Sequence, residues 1–310
     1  MAYQRTEYPP WSWSSSRKGT FRECKRKYYY NYYGAHNGWE AKAPEEAKQA
    51  YRLKNLDGIY LILGTGVHDI AEFTCRKLQN DNTLPEEKEL VDKVRNLLNK
   101  AYKDSQNTDA WYRSPKQNSL LQEFYYGDGL SDRLIDTIKE RMMQSVPNLL
   151  SSESITEIVR DRCDIKITED MDTFMVGDTP VYAIPDLVYK DSEGSWIVVD
   201  WKTGKEYDSH PAQITVYAIY IMEKFNLKAD QVKGRVEYLL TGHNRDVEIT
   251  DGTVDEVKKE IVESIEDMKE YLEDEKENIP KSKDEFPLTS HTRFCKWCNF
   301  YEMCKEELGC

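Results

Sequence analysis

The 310-residue chain has no stretch approaching the roughly 18 uninterrupted apolar residues of a membrane span, and Met1–Pro10 carries no apolar secretory core. Both absences argue against insertion or export, so a soluble, cytoplasmic protein with no membrane partner is expected. There is no internal repeat and no long low-complexity tract, which excludes a solenoid. No G-x4-G-K-[ST] phosphate loop is present, so ATP-driven unwinding has to come from elsewhere. Positive charge is in deficit: 43 Lys and Arg stand against 56 Asp and Glu, a net charge of −13. This argues against indiscriminate nucleic-acid binding and confines any such contact to a local groove. Cysteine is scarce and odd in number, at seven, with Cys295, Cys298, Cys304 and Cys310 crowded at the C-terminal end. That spacing suggests a metal site in a reducing compartment rather than a disulfide framework. The length is enough to bury a core without any staple.

The positive charge that exists is concentrated. Arg17, Lys18, Arg22, Lys25, Arg26 and Lys27 lie beside Trp11, Trp13, Phe21 and the run Tyr28-Tyr29-Tyr30-Asn31-Tyr32-Tyr33. Cations hold phosphates and aromatic faces stack on bases. The same pattern also fits an amphipathic helix with inward tyrosines and solvated cations.

Periodicity predicts a glycine-started helix over 64–77, with His68 and Glu72 one turn apart, and helices over 86–104 and 130–150. Alternation then predicts a strand over 155–167, placing Glu157 and Cys163 on its apolar face. Further strands are expected over 181–189, 195–202, 232–240 and 246–250, and helices over 213–224 and 254–276. The turn Asp191-Ser192-Glu193-Gly194 makes 181–202 a hairpin. The reading is a layered α/β (α+β) chain. It divides into an N-terminal segment 1–63, a helix 64–78, a helical insertion 79–150, a core 151–278 and a cysteine segment 279–310.

On the strand over 195–202, Asp200 and Lys202 share one face while Ile197, Val199 and Trp201 share the other. Charges at the end of a buried strand form a rim ion pair or serve chemistry, with a carboxylate binding a divalent cation and a lysine orienting water. Pro185-Asp186 precedes them on the other arm of the hairpin, so both carboxylates can meet. Hard oxygen ligands suit Mg²⁺ or Mn²⁺.

Pro185-Asp186 … Asp200-Trp201-Lys202-Thr203-Gly204 resembles the PD-(D/E)XK nucleases, and specifically their RecB-like branch. Gly66-Val67-His68 resembles that branch's upstream metal-ligand helix. Glu157 sits where an acid opens the first core strand, and Gln213 with Tyr217 matches a downstream Q-x3-Y helix whose two residues share a face. The resemblance implies a restriction-endonuclease-like central mixed sheet flanked by helices. It also implies an exonuclease acting on single-stranded DNA in repair, recombination, CRISPR adaptation or phage DNA processing. His68, Asp186, Asp200 and the Trp201 carbonyl would hold the metal, Lys202 would position water, and Glu157, Gln213 and Tyr217 would support the site. The cations from Arg17 to Lys27 would line the DNA approach, and a helicase, recombinase or CRISPR integration complex would be the partner. The pattern departs from that branch at Ala183 and Pro185. Pro185 lacks a ladder donor, so its strand is expected to be an edge or bulged there.

Cys295-x2-Cys298-x5-Cys304 needs a fourth ligand. Cys310 would complete a zinc knuckle, and Cys24 would close a 4Fe-4S site. The second arrangement resembles a subset of RecB-like nucleases, including the AddB nuclease domain, CRISPR-associated exonucleases and exonuclease V. There, one early cysteine followed by basic and aromatic residues joins three late ones. Such a 4Fe-4S cluster on Cys24, Cys295, Cys298 and Cys304 would staple the ends of the core together. Cys75 and Cys163 read as ordinary buried thiols, with Phe294, Trp297, Phe300 and Tyr301 shielding the cluster.

Overall fold

The computed structural model describes residues 5–169 and 171–309. Helices α1 (Ser15–Glu23), α2 (Lys25–Tyr29) and α3 (Glu45–Lys54) lead into the long α4 (Ile59–Asp81). Helices α5 (Glu87–Ser105), α6 (Thr108–Arg113), α7 (Gln122–Tyr125), α8 (Asp132–Leu150) and α9 (Glu153–Asp161) follow. Strands β1 (Asp164–Thr168), β2 (Asp172–Val176), β3 (Thr179–Ala183), β4 (Leu187–Lys190) and β5 (Trp196–Lys202) come next. Then come α10 (His210–Phe225), β6 (Val232–Tyr238), β7 (His243–Glu248) and α11 (Asp251–Lys269). Among the described residues, no helix is long and apolar enough to cross a membrane.

The main sheet has the order β1-β4-β5-β6-β7, antiparallel throughout except for the parallel pair β5–β6, which α10 connects. The expected mixed sheet flanked by helices is therefore present. Alternation along β5 feeds two cores. Trp196 and Val198 join Ile214, Ile219 and Ile261 from α10 and α11, while Ile197, Val199 and Trp201 join Val67, Ile70 and Val146 from α4 and α8. Each fully buried aliphatic side chain of this kind stabilises the fold by about 2 kcal/mol. A Cβ on Gly234 of β6 would fall 2.1 Å from Ile214 Cγ2, so the missing side chain lets α10 seat directly on the sheet. A third cluster, including Tyr30, Leu53, Trp111, Phe300 and Cys304, joins the N-terminal helices to the C-terminal segment. Arg26 ties the same two regions, donating to Phe286 O at 2.9 Å and pairing with Glu307 at 2.5 Å.

Several boundaries differ from expectation for physical reasons. α4 begins at Ile59, and its glycines are contact points: Gly66 packs on Val94 and Leu97, and Gly64 faces Thr203. The expected strand over 155–167 is a helix and then a strand. Ile155 and Ile158 are buried three apart while Val159 is 43% exposed, which is helical spacing, and Arg162 at φ 53° ends α9 before β1 begins. Glu157 therefore lies on a helix, and Cys163 in the connection after it. The expected strand over 181–189 is broken at 184–186, where Pro185 lies. β3 turns away to pair with β2, and β4 alone pairs with β5.

Candidate metal centre and active site

Three strand ends converge at one edge of the main sheet. The β4–β5 register pairs Leu187 with Val199, so the next pair outward sets Asp186 opposite Asp200. The β1–β4 register pairs Thr168 with Leu187, which sets Glu169 against Asp186 from the other side, and Glu169 N–H donates to Asp186 O at 3.3 Å. Glu169 holds φ 53°, a left-handed conformation uncommon outside glycine, as its chain turns off the end of β1. His68, on the α4 face that meets this edge, has Nδ1 at 3.3 Å from Asp186 Oδ1 and 3.4 Å from Glu169 Oε1. His68, Glu169 and Asp186 offer ligand atoms all within 4.8 Å of one another.

Asp200 and Lys202 project from the same face of β5. Lys202 Nζ lies 2.6 Å from Asp200 Oδ2 and donates to Gln213 Oε1 at 2.9 Å, and Gln213 Nε2 donates to Tyr217 OH at 2.7 Å. Gln213 and Tyr217 stand one turn apart on α10, the helix seated by Gly234. Asp186 Oδ2 accepts the Trp201 N–H at 2.6 Å, which fixes its other oxygen toward His68.

The electrostatics call for a cation. Burial, with Asp186 adding to it, pushes the Asp200 carboxyl up. Burial disfavours the His68 imidazolium, but Asp186 and Glu169 outweigh it and raise the ring to about 10. Burial, Asp200 and Asp186 together push the Tyr217 hydroxyl up. Glu169 Oε1 and Asp200 Oδ2 are cut off from solvent, and each faces a single cation, His68 at 3.4 Å and Lys202 at 2.6 Å. Buried carboxylate oxygens converging beside a histidine are the donor set a hard divalent ion takes, so the residues fit Mg²⁺ or Mn²⁺.

A family model of the PD-(D/E)XK nuclease superfamily matches residues 12–305. The chain belongs to that superfamily. No curated protein matches it. Membership makes this chain a nuclease, with DNA as the substrate class that the superfamily implies.

His68, Asp186, Asp200, Lys202, Gln213 and Tyr217 are thus brought together in the nuclease, and Glu157 is not. On α9, Glu157 accepts from the Tyr189 hydroxyl and from Arg235 Nη1 at 3.0 Å, well satisfied in a network of its own. The acid at the end of the first core strand is Glu169. Its signal was an acid directly after an apolar alternation, on the strand beside Pro185-Asp186. The Trp201 backbone is held by Asp186 through its N–H.

The cations expected to meet DNA divide sharply. Arg17 is 3% exposed, donating to the Tyr28 and Tyr33 hydroxyls, and Arg26 is equally buried against Phe286. Neither reaches the surface. Lys25 lies over the Phe21 ring at 3.2 Å, and Lys27 pairs with Glu23. Lys18 and Arg22, both paired with Glu260, line a groove of about 680 Å³ that Gln213 also lines.

Cys24 caps α2, its Sγ accepting the Lys27 N–H at 3.5 Å. Burial and neighbouring charge, Cys24 included, push Cys298 up to about 11, and burial with Cys298 and Cys24 pushes Cys304 up to about 12. These three thiols are near enough to feel one another, yet among the described residues only His68, Glu169 and Asp186 form a close ligand triad. Cys295 precedes Cys298 by one turn, with Cys298 N–H donating to Cys295 O at 2.9 Å. Cys310 lies outside the described residues. Cys75 is fully buried. Phe300 is buried, but Phe294 and Trp297 are 54% and 68% exposed and do not serve as a shield.

Proposed function

We propose that the chain is a Mg²⁺- or Mn²⁺-dependent deoxyribonuclease of the RecB-like branch, acting as an exonuclease on single-stranded DNA. The observation that carries this reading is the convergence of Glu169, Asp186 and Asp200 on His68, beside a lysine already held by Gln213. His68, Glu169, Asp186, Asp200 and the Trp201 carbonyl would hold the cation, which when bound supplies Lewis-acid stabilisation of charge on the phosphodiester. Asp186 and Asp200 set the negative field that orients the cation. Lys202, with its ammonium fixed between Asp200 and Gln213, orients a water for in-line attack on phosphorus. The P–O bond to the leaving oxygen breaks as the water oxygen bonds, the water proton passes to solvent past Lys202, and the leaving oxygen takes a proton from solvent. Gln213 and Tyr217 keep the ammonium from swinging away. Lys18 and Arg22, in the groove that also holds Gln213, would meet incoming phosphates by exchanging Glu260 for them.

The same reading places a 4Fe-4S cluster on Cys24, Cys295, Cys298 and Cys304. It is supported by the mutual influence of Cys24, Cys298 and Cys304 and by the backbone N–H already donated to Cys24 Sγ. The cluster would strengthen the tie that Arg26 makes between the same segments. With no phosphate loop, the protein would take its single strands from a helicase, a recombinase or a CRISPR integration complex in the cytoplasm.

The test is release of label from single- and double-stranded DNA, tagged at either end, by anaerobically purified protein with Mg²⁺ or Mn²⁺. Metal-dependent loss from one end of single strands is expected. Equal inertness of the native chain and Asp200→Ala, with iron fully loaded, would favour a non-catalytic DNA-binding subunit. About four irons per chain are expected. One tightly held zinc and no iron would replace the cluster with a knuckle.

A further inference from the structure

Three concavities away from the metal ligands are neighbours, linked by shared lining residues. The first, about 290 Å³, lies between Trp297 and Lys296 on one side and Gln122, Glu123 and Tyr126 on the other. Tyr126 also lines the second, about 430 Å³, together with Tyr125, Tyr301 and Lys305. Tyr112 lines both the second and the third, about 790 Å³, where Arg52, Arg113 and Lys116 face Trp39 and Tyr51. The result is one furrow crossing the α3, α6 and α7 region to the C-terminal cysteine segment.

Its surface chemistry is unlike the rest of this acidic chain. Trp297, Trp39 and Tyr112 are 68%, 43% and 40% exposed, an uncommon outlay of large aromatic surface. Cations accompany the rings: Lys296 Nζ lies 5.4 Å from the Trp297 ring and Arg52 lies 5.5 Å from that of Tyr112. The carboxylates along it are already engaged. Glu45 pairs with Lys48, Glu40 with Arg5, Glu302 accepts the Tyr125 hydroxyl and Glu123 accepts the Ile59 N–H. Among the described residues Arg113, Lys116 and Lys305 pair with no carboxylate. At the Trp297 end, Gln122 Nε2 and Glu123 Oε2 have neither solvent nor a partner, a donor and an acceptor side by side.

The furrow also points at the catalytic centre. Glu123 fastens the first turn of α4, and Leu61, Gly64 and His68 follow one another on a single face of that helix. Leu61 is 61% exposed and Gly64 abuts Thr203, next in chain to Lys202. From Ile59 to His68 is roughly 13 Å along the helix, at 1.5 Å per residue.

We propose that this furrow carries a single strand of DNA to or from the metal centre. Bases stack on Trp297, Tyr126 and Tyr112, and phosphates meet Lys305, Arg113 and Lys116. The inference rests on the nuclease reading, and it names where the substrate lies beyond the scissile bond. Aromatic faces accept any unpaired base, so binding is tolerant of sequence. Paired bases hide their faces, so a blunt duplex is excluded.

The test is binding rather than cleavage, made in chelator on the Asp200→Ala chain with fluorescent oligothymidylates of about 20 and about 4 nucleotides. The longer probe is expected to bind far more tightly. Trp297→Ala is expected to weaken it about tenfold. Arg113→Glu with Lys116→Glu is expected to weaken it and to reduce the slope of log affinity against log salt by about 0.7 for each phosphate no longer neutralised. Thermal melting establishes that each variant is folded. Unchanged affinity and slope in folded variants, or a blunt duplex competing as well as the single strand, overturns the furrow. Since no cleavage is read, either result leaves the nuclease reading to its own test, and a chain that binds in this way but never cuts would sink only the latter.

Discussion

Two corners of the sheet concentrate acids, and they are opposites. Around Arg235, which is 7% exposed, Glu157 and Asp246 each lie at 3.0 Å and Glu153 at 3.4 Å, with the Tyr189 hydroxyl at 3.1 Å. One guanidinium, with its fixed fork of donors, answers them all. At the other corner, Glu169, Asp186 and Asp200 share only His68 and Lys202. The first corner is closed and has nothing left to bind. The second keeps Asp186 and Asp200 buried, at 6% and 3% exposed, where solvent cannot answer their charge and an ion would complete the set. Paired acid alone does not mark a site, but acids buried against one another do.

Neutralising an acid should therefore have opposite consequences at the two corners. The largest effect is expected for Asp200→Asn, which should lower DNA cleavage by about a thousandfold or more. In chelator its melting midpoint should not fall, because one of two facing carboxylates is relieved. Label release and thermal melting measure the two halves, and a destabilised variant would show that Asp200 belongs to the closed kind of corner. Glu169→Gln should lower cleavage about a hundredfold; native activity would return the role to another acid. Saturating Mn²⁺, at about a hundred times its dissociation constant, should stabilise the native chain by about 2.7 kcal/mol and Asp186→Asn far less, read by denaturant unfolding. Glu157→Ala should cost about 2 kcal/mol of stability, since it leaves Arg235 and Tyr189 short of a charged partner, while cleavage keeps its native order of magnitude. A collapse of cleavage with stability intact would move Glu157 into the catalytic centre and erase the contrast.

What could be read in the chain alone follows the same division. Strand alternation put Asp200 and Lys202 on one face, the resemblance to a Q-x3-Y helix pointed to Gln213 and Tyr217, and the turn at 191–194 does close the hairpin, with Gly194 at φ 89°. Glu169 was missed, because it sits just beyond β1 in a left-handed conformation where periodicity stops, and only its place after the Ile165 and Ile167 alternation marks it. Ile155 and Ile158 admit both a period of two and a period of 3.6 over so short a stretch, and burial decided for the helix. The cations near Cys24 misled for a different reason. Counting charge cannot tell Lys18, at the surface of a groove, from Arg17, whose guanidinium is spent on tyrosine hydroxyls inside the core. The exposed rings of Phe294 and Trp297 likewise carry no pattern that separates a shield from a docking face.

Asp186 divides its two oxygens between different tasks. β4 does not begin until Leu187, and the Trp201 N–H next to that end is taken by the Asp186 side chain. The carboxylate thus acts as a surrogate rung of the sheet, and its rotation about χ2 is arrested before any ion arrives. In the metal site proposed above, this ligand would then need no search to meet the cation. Replacing Asp186 with glutamate would keep the charge but lose that readiness, because the longer arm cannot hold the rung and face the site at once.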